Sequence, residues 1–124
     1  MIIDSYAWIE YFYGTNKGIA VRNQIEKSGC YTLECNLAEI YEWALRQGED
    51  FSFIHKLIAS KSQIIPINRK DWLRAVELKI KMRKKKSRFG LSDAIMLAKQ
   101  EELRCKIITG DEHFKGEKDI VFLG

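Results

Sequence analysis

Five short apolar runs punctuate this chain, at Met1–Asp4, Cys30–Leu33, Gln63–Ile67, Cys105–Thr109 and Ile120–Leu123. They are too short for helices, and most are rich in Ile, Val or Leu, as expected of parallel strands buried on both faces. Pro66 cannot donate to a sheet ladder, so the third run fits an edge better than a centre. Between the runs lie stretches of helical character: Ser5–Tyr13, Lys17–Lys27, Leu37–Gln47, Phe51–Ser60, Lys70–Lys86 and Asp93–Leu103. In the third of these, Leu37, Ile40, Tyr41, Ala44 and Leu45 recur on one apolar face. Asn36 is a predicted cap for that helix and Asn68 for the fifth, with Gly14, Gly29, Gly48 and Gly110 at joins. Strands alternating with helices predict an α/β fold with a mainly parallel sheet and right-handed crossovers. A chain of 124 residues, without repeat or interdomain linker, predicts one domain over 1–124.

Positive charge is concentrated in one place. Residues 69 to 88 hold ten Lys or Arg against two acids, at 71 and 77, whereas the remainder has eleven basic and fifteen acidic residues. A basic stripe on an otherwise acidic chain points to a polyanion partner. The three cysteines, Cys30, Cys35 and Cys105, are odd in number and lack CxxC spacing, which argues against a secreted disulfide framework. His55 and His113 lie far apart, so a Cys/His zinc site has little support. No signal peptide is recognised at Met1-Ile2-Ile3-Asp4, and no apolar run approaches the ~20 residues that span a bilayer. A cytoplasmic protein without membrane attachment is expected.

Four acids fall at, or one turn beyond, the carboxyl ends of predicted strands. Each has an ordinary reading. Asp4 is a helix cap, Glu39 the distal member of a capping box with Asn36, Asp93 an acid at a helix start, and Asp111 a turn residue. Their shared location is what those readings do not require, because open α/β sheets bind ligands at that edge. Two unit charges ~5 Å apart at an effective dielectric of ~20 repel by about 3 kcal/mol. Protons or a divalent cation must relieve such crowding. An all-oxygen site suits Mg²⁺ or Mn²⁺, which can polarise a phosphodiester and help generate a hydroxide nucleophile. Ser5, Ser92 and Thr109 are candidate hydroxyls for orienting the carboxylates, with caps and strand-end hydrogen bonds as their ordinary reading.

These residues carry a resemblance. Ile3-Asp4-Ser5-Tyr6-Ala7-Trp8-Ile9-Glu10, Leu37-Ala38-Glu39-Ile40, Leu91-Ser92-Asp93-Ala94-Ile95-Met96-Leu97-Ala98 and Ile108-Thr109-Gly110-Asp111-Glu112-His113-Phe114 resemble the motifs of PIN-domain ribonucleases. The likeness is strongest to the VapC-type toxins of prokaryotic toxin–antitoxin pairs and runs nearly end to end. It implies a three-layer α/β/α sandwich, Mg²⁺ or Mn²⁺ dependence and RNA hydrolysis. It also implies frequent homodimerisation and a small antitoxin that blocks the site. Asp4, Glu39, Asp93 and Asp111 carry over as its catalytic and metal-binding acids. One departure is Asn36, where many relatives have Ser or Thr; an amide caps a helix but supplies no hydroxyl.

The basic run Lys79-Ile80-Lys81-Met82-Arg83-Lys84-Lys85-Lys86-Ser87-Arg88 leads directly into the Asp93 motif. It reads either as a solvated helix face or as a rim holding RNA phosphates, with Arg83, Lys84, Lys85, Lys86 and Arg88 as the candidate contacts. Phe89 fits an unpaired base or the core. Trp8, Tyr11, Phe12, Tyr13, Tyr41 and Trp43 are expected in the core, with any exposed ring available to a dimer or antitoxin surface. Two other functions compete. A non-cleaving RNA-binding or complex-assembly module would use the same basic run. An aspartate phosphotransfer domain is disfavoured, because Tyr6 stands where a phosphatase of the haloacid dehalogenase type would carry its second Asp.

Overall fold

The computed structural model describes residues 1–124. Five strands form one sheet: β1 (Ile2–Ile3), β2 (Tyr31–Leu33), β3 (Gln63–Ile65), β4 (Ile107–Thr109) and β5 (Ile120–Phe122). Their order is β3-β2-β1-β4-β5, with every pair parallel. Pro66 lies just beyond β3, which is an edge strand, where a missing N–H is tolerated. The helices are α1 (Ser5–Tyr13), α2 (Asn16–Lys27), α3 (Glu34–Gln47), α4 (Phe51–Lys61), α5 (Arg69–Met82) and α6 (Leu91–Leu103). No helix is long and apolar enough to cross a membrane.

The two-residue period of the strands divides the core into two layers. Ile2 and Ile107 pack with Ala75, Leu78 and Met82 of α5, and with Ala94, Ile95 and Ala98 of α6. Their neighbours Ile3 and Ile108 face the opposite way, against Ala7 and Trp8 of α1, Val21 of α2, Ile40 and Ala44 of α3, and Ile54 and Ile58 of α4. The result is a three-layer α/β/α sandwich. Each of those four isoleucines is fully buried, contributing about 1.5–3 kcal/mol from transfer out of water. Polar atoms inside are matched: Trp8 Nε1 donates to Thr32 Oγ1 at 3.0 Å. Between α5 and α6, buried Lys99 donates to Asp71 at 3.1 Å and Glu102 at 2.5 Å.

Local chemistry sets most helix ends. Thr15 Oγ1 accepts the Gly18 N–H of α2, Asp50 caps α4, and Asn68 with Asp71 forms a full capping box on α5. Two helix boundaries differ most from expectation. The third helix starts at Glu34, directly after β2, so Asn36 lies inside its first turn and does not cap it. The fifth ends at Met82 rather than Lys86. Continuing it would stack further like charges at i,i+4, as with Lys81 over Lys85 and Lys84 over Arg88. The chain instead turns and buries Phe89 completely, so that ring is a core residue and not a base-stacking platform.

Candidate active site

In this strand order, connections from β1 run to one side through β2 and β3, and β4 joins on the other. The reversal falls between β1 and β4, the switch point where α/β sheets open a crevice beyond their carboxyl ends. Asp4 immediately follows β1, and Asp111 lies two residues past β4. Thr109, the buried last residue of β4, connects them. Its hydroxyl donates to Asp4 Oδ2 at 2.6 Å and accepts the Asp111 N–H at 3.0 Å. Gly110 has to be small, since a Cβ there would lie 2.1 Å from the ring of Tyr6.

Asp4 is buried and saturated. Its Oδ1 accepts the Ser5 N–H at 2.7 Å, and lies 3.2 Å from Ser5 Oγ and 3.3 Å from Asn36 Nδ2. Glu39, from the second turn of α3, reaches the same donors: its Oε1 is 3.3 Å from Ser5 Oγ and 3.2 Å from Asn36 Nδ2. Asn36 therefore bridges the first two acids through its amide N–H₂ group. This leaves its buried Oδ1 without a partner, yet the reverse orientation would turn that oxygen against two carboxylates. A stranded carbonyl is the lesser penalty.

Asp93, Asp111 and His113 form a second group, with one possible ligand atom from each lying within 4.8 Å of the others. Helix α6 begins at Leu91, so Asp93 sits in its first turn and accepts the Gly90 N–H at 2.9 Å. Asp111 caps the 3₁₀ turn Glu112–Phe114 by accepting the His113 N–H at 2.9 Å. That turn swings the imidazole back, bringing Nδ1 to 2.8 Å from Asp93 Oδ2 and 3.6 Å from Asp111 Oδ1.

The electrostatics are those of a site short of positive charge. Burial, reinforced by Glu39, lifts the Asp4 carboxyl from its ordinary 3.8 to about 6, although its hydrogen bond from Thr109 pulls the other way. Burial, with Asp93 adding to it, also raises Glu39 against the donors Asn36 and Ser5. Beside them the Cys35 thiol is pushed up to about 12, first by burial and then by Glu39. The chain has 21 Lys and Arg, yet the only basic side chain within 4.0 Å of these four acids is His113. A cluster of carboxylate oxygens with no ammonium or guanidinium partner fits a divalent cation such as Mg²⁺ or Mn²⁺.

The other candidate residues fare differently. Ser5 and Thr109 touch the acids, whereas Ser92 is exposed and hydrogen-bonds to none of them. In the basic segment, Arg83 Nε donates to the Phe89 carbonyl at 2.7 Å. Lys86 donates to the carbonyls of His113 and Lys115 at 2.7 and 2.8 Å, pinning the turn that carries His113. Lys85 pairs with Glu117 at 2.9 Å. Lys84 and Arg88 are exposed and free of ion pairs. Sequence reasoning did not single out His113 as a site residue, nor Asn36 as a bridge, nor Lys17, which donates to the Tyr6 hydroxyl at 3.0 Å. The signal for His113 was its position two residues after Asp111. Among the aromatics, Trp8 and Phe12 stack and Phe12 stacks on Trp43, while Tyr13 and Tyr41 are exposed.

The family model of the PIN domain matches residues 1–116. Among solved structures, the chain is similar to one described as a toxin–antitoxin complex from Klebsiella pneumoniae. The TM-score is 0.78 at 21% identity, covering 99% of this chain and 97% of the other. No curated protein matches the sequence.

Proposed function

The chain belongs to the PIN domain family, and from that premise we propose that it is a metal-dependent ribonuclease, the toxin of a cytoplasmic toxin–antitoxin pair. PIN domains are generally nucleases. The observation that carries the reading is the convergence of Asp4, Glu39, Asp93 and Asp111 at the switch point without a Lys or Arg to neutralise them. In this reading the four acids hold Mg²⁺ or Mn²⁺. A cation held there would supply Lewis acidity toward a phosphodiester and would lower the pKa of a bound water.

The protein's own groups prepare that site. Thr109 and Ser5 fix the two oxygens of Asp4, and Asn36 sets the spacing of Asp4 and Glu39. Lys84 and Arg88, exposed and unpaired in the segment that leads into α6, are assigned to flanking RNA phosphates. Two exposed apolar rows are assigned to protein partners, a second copy and a small antitoxin. One comprises Tyr13, Ile19 and Phe53, which line one cavity, the other Leu73, Val76 and Ile80 on α5. The likeness to a toxin–antitoxin complex supports the antitoxin.

The test is cleavage of total RNA by the purified protein with Mn²⁺, with mapping of the new ends. Cleavage should disappear in excess chelator and in Asp93→Asn, falling by more than the 10–100-fold loss usual for a group that merely supports a ligand. Binding of RNA without cleavage of a broad panel would instead make the chain a non-cleaving RNA-binding module.

A further inference from the structure

Four acids account for a hard, all-oxygen cation site, and they leave His113 unexplained. The residue is held from both backbone and ring. Its backbone N–H donates to Asp111 at 2.9 Å, its carbonyl accepts from Lys86 at 2.7 Å, and its ring lies against Phe89 with centroids 6.2 Å apart. A surface histidine that served only to cap or solvate would not need such support. The side chain is nonetheless 35% exposed, so the ring remains open to solvent and ions.

The spacing of the group is that of ligands and not only of hydrogen-bond partners. Neighbouring ligands at about 2.1 Å from one octahedral ion stand about 3 Å apart. His113 Nδ1 lies 2.8 Å from Asp93 Oδ2 and 3.6 Å from Asp111 Oδ1. Without an ion, the first distance is a hydrogen bond. With one, the same three atoms can turn toward a common centre with little movement. We propose that His113 is an inner-sphere nitrogen ligand of the divalent cation and biases the site away from Mg²⁺ toward divalent transition metals.

The chemical reason is ligand preference. Mg²⁺ is bound through oxygen and keeps its waters, whereas imidazole suits first-row transition metals, increasingly so from Mn²⁺ toward Co²⁺. One nitrogen in an otherwise carboxylate set therefore contributes least to Mg²⁺ affinity and most to Co²⁺. The proposal rests on the metal-dependent reading above and adds the identity of one ligand and the selectivity it confers.

The experiment is pulsed EPR of the intact protein loaded with Mn²⁺, with ordinary or ¹⁵N-labelled histidine. Direct nitrogen coupling that changes with the histidine isotope and is lost in His113→Gln is the expected result. Titrations should show His113→Gln weakening Co²⁺ binding most and Mn²⁺ by about tenfold, with Mg²⁺ changed by no more than about twofold. If Mn²⁺ binds without histidine nitrogen coupling, the ligand assignment is overturned and the nuclease reading stands. Coupling that survives in His113→Gln overturns it equally. If wild-type protein binds no Mn²⁺, both the ligand assignment and the metal-dependent reading fail.

Discussion

Asp4 is buried with both oxygens occupied by Ser5, Asn36 and Thr109, whereas Asp93 and Asp111 sit at the rim with side chains 15% and 38% exposed. The first half of the site, Asp4 with Glu39, is built by the fold. It stands just past β1 and at the start of α3, and its donors come from α1, α3 and β4. The second half, Asp93 with Asp111 and His113, is built by two local turns, the start of α6 and the 3₁₀ segment after β4. Burial raises the proton affinity of the first half. Perturbed acids of this kind cluster at functional sites. The second half keeps free valences and an imidazole. Rigid placement is thus concentrated on one side and ligand adaptability on the other.

The largest way to break that comparison is to remove the buried charge. The Asp4 carboxyl is lifted from 3.8 to about 6, so the folded state binds its proton more tightly than the unfolded chain. The resulting stability is fully present below about pH 4 and is lost as pH rises through about 6, amounting to about 3 kcal/mol. In metal-free protein, Asp4→Asn should therefore be more stable than wild type above pH 6 and indistinguishable from it below pH 4. Thermal melts at matched pH measure the difference. A variant that melts lower than wild type at pH 8 would mean that Asp4 is a structural cap first and a charged ligand second. Asp93→Asn should have the opposite sign, losing about 1 kcal/mol at pH 7, because it weakens a helix-start acceptor and its His113 contact. Equal shifts in the two variants would erase the distinction between the halves.

The same contrast explains what could be read in advance. Asp4 and Asp111 were legible because each follows a short Ile-rich run, and strand ends are marked by local composition. Glu39 was legible as a member of the same acid set as Asp4, but the donors that join the two, Ser5 and Asn36, were not, since Asn36 lies 32 positions from Asp4. Asn36 itself carried a misleading local signal. It is a good cap in isolation, yet the chain enters α3 straight from β2 at Glu34 without any side-chain cap. Tertiary packing overrode propensity there. His113 stands 20 residues from Asp93, and nothing in composition alone brings them together. The basic run failed differently: a lysine on a solvated helix and a lysine pinning a distant turn have the same local sequence.

That last ambiguity yields the smallest expected effect and a clean separation of roles. Lys84 and Arg88 are free, whereas Lys86 is committed to the backbone of the turn carrying Asp111 and His113. Removing Lys84 and Arg88 together should weaken RNA binding a few-fold. It should also flatten the slope of log K against log salt by about 1.4, at ~0.7 for each phosphate contact on a single strand. Melting temperature and Mn²⁺ affinity should hold, as surface substitutions usually stay within about 0.5 kcal/mol. Lys86→Ala should leave the salt slope near that of wild type while lowering the melting temperature and weakening Mn²⁺ binding, because the open half of the site loses its anchor. If Lys86→Ala flattens the salt slope as much as one of the free residues does, its ammonium is a phosphate contact. In that case the turn is held by the Asp111 cap alone, and the open half depends on less of the fold than its hydrogen bonds suggest.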